Sequence, residues 1–100
     1  MMAAEKDAWL GKATAIAAGA YADIRPASGY EVSLAYLAHG YPGEVYLYDG
    51  TTRVLLTSGS TTCLMGDGLR LTNSFYAQFK NTHTAAQDIA WAGVYTKAPA

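Results

Sequence analysis

The sequence has little charge, one cysteine and two histidines, and each shortage excludes a class of protein. Charged residues make up 15% of the chain, where about a quarter is usual. The formal net charge is −1, and with no basic stripe to neutralise phosphates, nucleic acid is not expected to be a partner. Cys63 alone forms neither an internal disulfide framework nor a cysteine metal cluster.

The chain also lacks a long uninterrupted apolar run. Near its start, residues 13–22 are mostly apolar but are interrupted by Thr14 and Gly19 and are too short to span a bilayer. The charged residues before this stretch do not give the basic-then-apolar order of a secretory signal. We therefore expect no membrane partner.

Sequence signatures of catalysis are missing as well: there is no glycine-rich phosphate loop, no pair of catalytic carboxylates and no Ser-His-Asp order. His39 and His83 have no neighbours that resemble metal ligands or acid–base partners, which predicts surface or interface roles. Asp49 and Asp67 lie next to glycines and are expected to form turns rather than a calcium site. The prediction is a protein that is not an enzyme and holds no metal or cofactor.

What the chain does have is alternation, and it is clearest over residues 30–58. Polar and apolar positions there repeat with a period of two, which is typical of strands with one buried face. Asp49-Gly50 predicts a two-residue hairpin turn between two of these strands. One face of the first strand is expected to carry Tyr30, Val32, Leu34 and Tyr36, and its other face Glu31, Ser33, Ala35 and Leu37.

Short strands with turn signals about every ten residues also fill the rest of the chain, which indicates a sandwich or barrel. The predicted strands outside the central stretch are residues 12–17, 20–25, 63–65, 69–72, 75–80 and 89–96, with a tight turn at residues 66–68. We predict one antiparallel all-β sandwich of about eight strands over residues 12–100, either a jelly roll or another Greek-key sandwich.

Residues 1–11 are predicted to form a short N-terminal arm. Trp9 and Leu10 are large apolar side chains that need burial, so the arm is expected to dock on its own domain or on a neighbour. A disordered tail is the alternative, because chain termini often fray.

The eight tyrosines are the most informative composition feature. Tyr21, Tyr46 and Tyr48 are expected to point away from the aliphatic side of their strands. Rings presented by a sheet stack on sugars, become buried in a protein contact, or pack across strands at a sheet edge. Because the chain has so little charge, we expect part of this surface to be covered by another copy or a partner, with a monomer of uncharged polar surface as the alternative.

Four stretches together resemble small β-sandwich structural proteins of tailed bacteriophages, and among these the capsid decoration, or cement, proteins. They are YADIRPASGYEVSLAYLAHG, EVYLYDGTTRVLL, GLRLTNSFYAQFKNT and IAWAGVYTK, which cover nearly the whole chain after residue 12. The resemblance rests on the I-R-P-x-x-G-Y-E entry, the Y-D-G-T-T hairpin, the L-T-N-S turn before an aromatic strand, and the final Tyr-Thr-Lys.

The resemblance implies a jelly-roll-like virion subunit, often a homotrimer, that is made in the host cytoplasm and binds the outside of the head where major capsid proteins meet. It also implies an N-terminal arm that reaches a neighbour. The alternative is a carbohydrate- or receptor-binding module of a tail fibre or tail-associated complex, and an adaptor elsewhere in the virion is a third reading. From the face assignments, the expected interface residues are Trp9, Leu10, Tyr21, Arg25, Tyr46, Tyr48 and Arg53.

Overall fold

A computed structural model of the chain describes residues 7–59 and 63–99, with the backbone alone for residues 63–67. No helix with the length and hydropathy of a membrane span occurs among these residues. The described residues form eight strands: β1 (Ala8–Ile16), β2 (Tyr21–Ile24), β3 (Glu31–His39), β4 (Gly43–Tyr48), β5 (Arg53–Gly59), β6 (Cys63–Thr72), β7 (Tyr76–Asn81) and β8 (Gln87–Lys97).

The strands form two four-stranded sheets in which all neighbours are antiparallel. Sheet A has the order β1-β8-β3-β6 and sheet B the order β2-β7-β4-β5. The pairs are nested along the chain: β1 with β8, β2 with β7, β3 with β6, and β4 with β5. This confirms the predicted all-β antiparallel sandwich of about eight strands.

The core lies between the two sheets and is made by buried side chains from every strand except β5. Sheet A contributes side chains such as Leu34 and Leu71, and sheet B contributes Ile24 and Phe79, all of them fully buried. Burial of each such side chain stabilises the fold by about 1.5–3 kcal/mol. Because alternate residues point inward, the residues between them form the two outer faces of the sandwich.

The first strand starts earlier than the sequence predicts. β1 begins at Ala8, not at residue 12, and pairs with β8 from Ala8 to Ile16. The apolar side chain of Trp9, expected in an arm, needs the core and is 8% exposed there. Residues 8–11 are therefore strand, while residues 1–6 of the predicted arm lie outside the described residues.

A bulge in β3 changes which residues are buried. The register against both β6 and β8 shifts between Leu34 and Tyr36. Two consecutive residues, Ala35 and Tyr36, are exposed, and the next buried residue is Leu37. The prediction that Tyr36 shares a face with Leu34 and that Leu37 lies on the opposite face is therefore wrong, because one extra residue reverses the alternation.

The hairpin between β4 and β5 is present, but its turn is longer than predicted. Tyr48 pairs with Arg53, so the loop has four residues rather than two. Asp49 Oδ1 accepts hydrogen bonds from the backbone N–H groups of Thr51 and Thr52, both at 2.8 Å. These bonds, the one from Thr52 first, lower the pKa of the Asp49 carboxyl below its ordinary value.

Two further turn assignments differ from the structure. Residues 66–68 do not form a turn; β6 is continuous, and its register against β3 shifts there, with Gly68 at φ +99°. Phe75 was expected in the following strand on the same side as Phe79, but it lies in the preceding turn and is 51% exposed. A backbone hydrogen bond from Thr72 N–H to Phe75 C=O closes that turn.

Candidate interaction surfaces

The outer face of sheet B brings together five of the seven residues that the sequence singles out. Inward side chains such as Ile24, Val45 and Phe79 are buried in the core, so their chain neighbours point away from it. The register then aligns these neighbours across four strands. We call this surface the Tyr–Arg face; it consists of Tyr21, Arg25, Tyr46, Tyr48, Arg53, Tyr76 and Gln78.

Arg53 is the centre of the Tyr–Arg face. It lies on β5, and its side chain crosses β4 to reach residues of β7 and β2. The guanidinium carbon lies 4.3 Å from the ring centre of Tyr21 and 4.4 Å from that of Tyr48. At this distance the positively charged guanidinium is attracted to the ring, because the ring face carries a negative electrostatic potential.

Gln78 fixes the direction of the Arg53 side chain. Arg53 Nε donates to Gln78 Oε1 at 2.7 Å, and Gln78 Nε2 donates to Asp23 Oδ1 at 2.7 Å. Because Asp23 accepts only from the amide nitrogen, the amide oxygen must face Arg53. Gln78 is 6% exposed although it lies on an outer face, so long side chains cover it.

Arg25 is held in a similar way at the other end of the Tyr–Arg face. Its guanidinium carbon lies 4.4 Å from the ring centre of Tyr76, and its Nε donates to the backbone carbonyl of Asn73 at 2.7 Å. Tyr76 in turn meets Tyr48 edge to face, with ring centres 5.8 Å apart. Cations and rings therefore alternate across the sheet.

Tyr46 completes the Tyr–Arg face beside Tyr21, with ring centres 6.0 Å apart. The Tyr46 hydroxyl donates to Glu44 Oε1 at 2.7 Å. This hydrogen bond is the main cause that raises the pKa of Tyr46 above its ordinary value, and burial and the charge of Glu44 act in the same direction.

Tyr76 and Gln78 are members of the Tyr–Arg face that the sequence analysis did not single out. The signal was present, because the alternation of β7 puts both on the side opposite Ala77 and Phe79. What the sequence does not contain is the register that places β7 between β2 and β4.

Trp9 and Leu10, the other two predicted interface residues, are not part of the Tyr–Arg face. Both lie on β1 in sheet A. Trp9 points into the core, where its ring centre lies 6.0 Å from that of Trp91. Leu10 points outward and is 71% exposed. Adjacent strand residues face opposite ways, so one of the pair is structural and the other lies on the surface.

Leu10 belongs to a second surface, a patch of uncharged side chains on the outer face of sheet A. Paired positions put Leu10, Ala92 and Tyr36 in one row across β1, β8 and β3, with Val94 in the next row. Tyr36 and Val94 are 41% and 42% exposed. We call this surface the alanine face; it consists of Ala8, Leu10, Tyr36, Ala38, Ala90, Ala92 and Val94.

A shallow groove of about 500 Å³ lies at one end of sheet A, beside Lys12, Asp88 and His39. His39 is predicted to lie at the surface or at an interface, but it is 5% exposed, packs on Phe79 with ring centres 5.0 Å apart, and bonds through Nδ1 to the carbonyl of Tyr41. The bulge in β3 turns it inward. Its contacts are those of a core residue.

Within the side chains that the structure describes, no three His, Cys, Asp or Glu residues come close enough to hold a metal ion together. His83 stacks on Tyr41, with ring centres 4.3 Å apart. The side chain of Cys63 is outside the described set.

No protein-family model matches this sequence, and no curated protein is significantly similar to it.

Proposed function

We propose that the protein is a virion structural protein of a tailed bacteriophage that decorates the capsid. In this proposal it binds the outside of the head through the major capsid protein, associates with further copies of itself, and stabilises the shell. It acts without a cofactor and without catalysis. The sequence resemblance supports the phage assignment, and the two outer faces support the binding role.

The proposal depends mainly on one observation, the clustering of tyrosine and arginine side chains on the Tyr–Arg face. Tyrosine and arginine are, together with tryptophan, the residue types most enriched in the energetically important centres of protein interfaces. Arg53 lies over the rings of Tyr21 and Tyr48, at the ring faces on which a sugar would stack. This favours a protein partner over a carbohydrate.

The strand order supports a jelly roll as the finer description of the fold. Eight strands in two sheets, with the first pairing the last and each inner pair nested within it, fit a double Greek key. Jelly rolls are common in viral capsid proteins.

The alanine face gives the subunit a second candidate surface, made of uncharged side chains, on the opposite side of the sandwich. A decoration protein contacts the shell and its own neighbours, which requires two surfaces. We propose that the Tyr–Arg face contacts the shell and that the alanine face contacts other copies, with a homotrimer as the expected assembly. A protein that binds the assembled shell but not its separated subunits favours the assembled shell by mass action. Symmetry repeats each modest contact many times over the shell, which strengthens the total attachment.

The test uses capsids of the phage that encodes this chain, assembled with its gene deleted. We expect the purified protein to cosediment with these capsids and to saturate a fixed number of sites. A Tyr48→Ala variant that remains folded should bind more weakly. Glycan binding that Tyr46→Ala or Tyr48→Ala removes, together with no capsid binding, would replace the proposal with the tail-fibre alternative.

A further inference from the structure

We propose that Arg53 is a preorganised binding site for a carboxylate, so that the Tyr–Arg face recognises a protein surface that presents an Asp or Glu side chain among apolar groups. The acidic residue would meet the Nη edge of the guanidinium. This inference rests on the proposed function only for the identity of the partner; carboxylate binding by Arg53 does not depend on that function.

A hydrogen bond to Gln78 holds the guanidinium of Arg53 in place. Its Nε donates to Gln78, which is almost completely buried beneath it. The group is planar, so the two Nη nitrogens lie on the side of the carbon away from Nε. Gln78, held by Asp23, therefore engages Nε and leaves the Nη edge of the exposed Arg53 side chain to other acceptors, and a carboxylate accepts two parallel hydrogen bonds from such an edge.

The charge of Arg53 has no counterion in the described part of the protein. Among the side chains that the structure describes, no carboxylate lies within ion-pair distance of Arg53; Glu31, in sheet A, pairs with Lys97 at 3.7 Å. Asp23 bonds to Gln78 and Glu44 bonds to Tyr46, so both nearby carboxylates accept from uncharged donors. The cation of Arg53 therefore remains complementary to an incoming anion.

Binding through Arg53 costs little side-chain conformational entropy. Arginine side chains normally lose much rotamer freedom when they bind. Here two rings and one amide already restrict Arg53 in the free protein. Binding to a side chain ordered in advance leaves more of the interaction free energy available.

Apolar groups surround the site on the β5 side. Leu55 pairs with Tyr46, lies on the same face as Arg53 and is 50% exposed. Leu56 follows it on this edge strand and is 40% exposed. A partner that offered a carboxylate alone would leave Leu55 in water, so the site fits an acidic residue flanked by apolar ones.

The experiment titrates the full chain with a short oligoglutamate peptide and, as the matched neutral probe, an oligoglutamine peptide of the same length. The readout is the nitrogen-15 resonance of Arg53 Nε–H. We expect oligoglutamate to shift this resonance in a saturable way and oligoglutamine to leave it unchanged. Arg53→Gln and Arg53→Lys lack this resonance and are followed by backbone amide shifts; Arg53→Gln should weaken oligoglutamate binding about tenfold.

Three variants separate the site from a general charge effect. Arg53→Lys keeps the charge but loses the planar edge, and should bind nearly as weakly as Arg53→Gln. Arg70→Gln removes an exposed cation from sheet A and should bind as the parent does. Gln78→Met frees the Arg53 side chain; it should weaken binding and speed the exchange of Arg53 Nε–H while the fold remains intact.

An unmoved Arg53 resonance overturns the inference, as does Arg53→Gln or Arg53→Lys binding as tightly as the parent. The same variants in capsid cosedimentation separate the two proposals. If the parent binds capsids and Arg53→Gln binds equally well, the carboxylate site is wrong and the decoration role stands. If oligoglutamate binds through Arg53 and the parent does not bind capsids, the carboxylate site stands and the decoration role is wrong.

Discussion

The hydrogen bond from Tyr46 to Glu44 links the Tyr–Arg face to pH. It raises the pKa of Tyr46 above the ordinary value of 10.0, so the folded protein holds this proton more tightly than the unfolded chain does. The resulting stabilisation is complete below the unfolded pKa and is lost as the pH rises through the folded one.

Glu44→Ala should therefore lower the pKa of Tyr46 toward its ordinary value and reduce the loss of stability that Tyr46 causes at alkaline pH. The measurement is the carbon-13 shift of the Tyr46 ring during an alkaline titration. Glu31→Ala, which removes a carboxylate from sheet A, is the matched control and should leave Tyr46 unchanged. Equal Tyr46 titrations in the parent and in Glu44→Ala would contradict the assignment.

Asn81 joins three segments at one end of the sandwich and is fully buried. Its Nδ2 donates to the carbonyls of Ile16 and Ala85, and its Oδ1 accepts from His83 N–H and from Gln87 Nε2. Removal of the side chain leaves several of these buried groups without partners, and each costs about 1–3 kcal/mol.

Asn81→Ala should thus lower the free energy of unfolding by about 3 kcal/mol or more, measured by urea denaturation. Asn73→Ala is the matched control, because Asn73 is only partly buried and donates one hydrogen bond to Pro26. It should cost about 1 kcal/mol. Similar losses for the two variants would show that the Asn81 network is not a structural centre.

Single residues also show how far the sequence predicts the Tyr–Arg face. Alternation is enough to assign Tyr21, Tyr46 and Tyr48 to outward positions, because it depends only on chain neighbours. Alternation assigns Gln78 to an outward position as well, but it does not show what Gln78 contacts. Its role depends on Arg53 and Asp23, which are far from it in the sequence and come close only through strand order and register.

Strands were predicted well where their alternation is unbroken and less well where a bulge interrupts it. In β3 the extra residue near Ala35 moves Leu37 and His39 inward. In β6 the residues 66–68 read as a turn, but they lie within one continuous strand. Glycine favours both a turn and a bulge, and only the partner strand decides between them.

Gly93 in β8 is a position where the partner strand leaves no room for a side chain. A Cβ there would collide with the backbone carbonyl of Ser33 on β3. Backbone atoms cannot rotate away as a flexible side chain does, so β3 and β8 would have to separate at the centre of sheet A.

Gly93→Ala should therefore destabilise the protein by about 3 kcal/mol or more, or prevent it from folding, as judged by thermal and urea unfolding. Gly40→Ala is the control, since a Cβ at Gly40 meets nothing within 4 Å. It should change stability by about 0.5 kcal/mol or less. A stable Gly93→Ala protein would contradict the register of β3 and β8.

The whole molecule presents two candidate interaction surfaces on opposite sides of one sandwich. Leu10, at 71% exposure, is the most exposed large apolar side chain of the alanine face. Leu10→Glu puts a charge on that face without disturbing the core, so it should keep the fold and weaken self-association about tenfold or more.

Light scattering coupled to size exclusion measures this change. The parent should elute as a small oligomer and Leu10→Glu as a monomer with the same β-type circular dichroism spectrum. Thr51→Glu, which puts the same charge on the exposed β4–β5 loop, should leave the oligomer intact. A parent that is monomeric at all concentrations contradicts self-association through the alanine face.

The most direct test of the account is the heat resistance of capsids assembled without this chain, measured as purified protein is added back. The account predicts that the disruption temperature rises with added protein, reaches a plateau at a fixed ratio of protein to capsid, and stays lower with folded variants of the Tyr–Arg face. A disruption temperature that does not change at any ratio would contradict it.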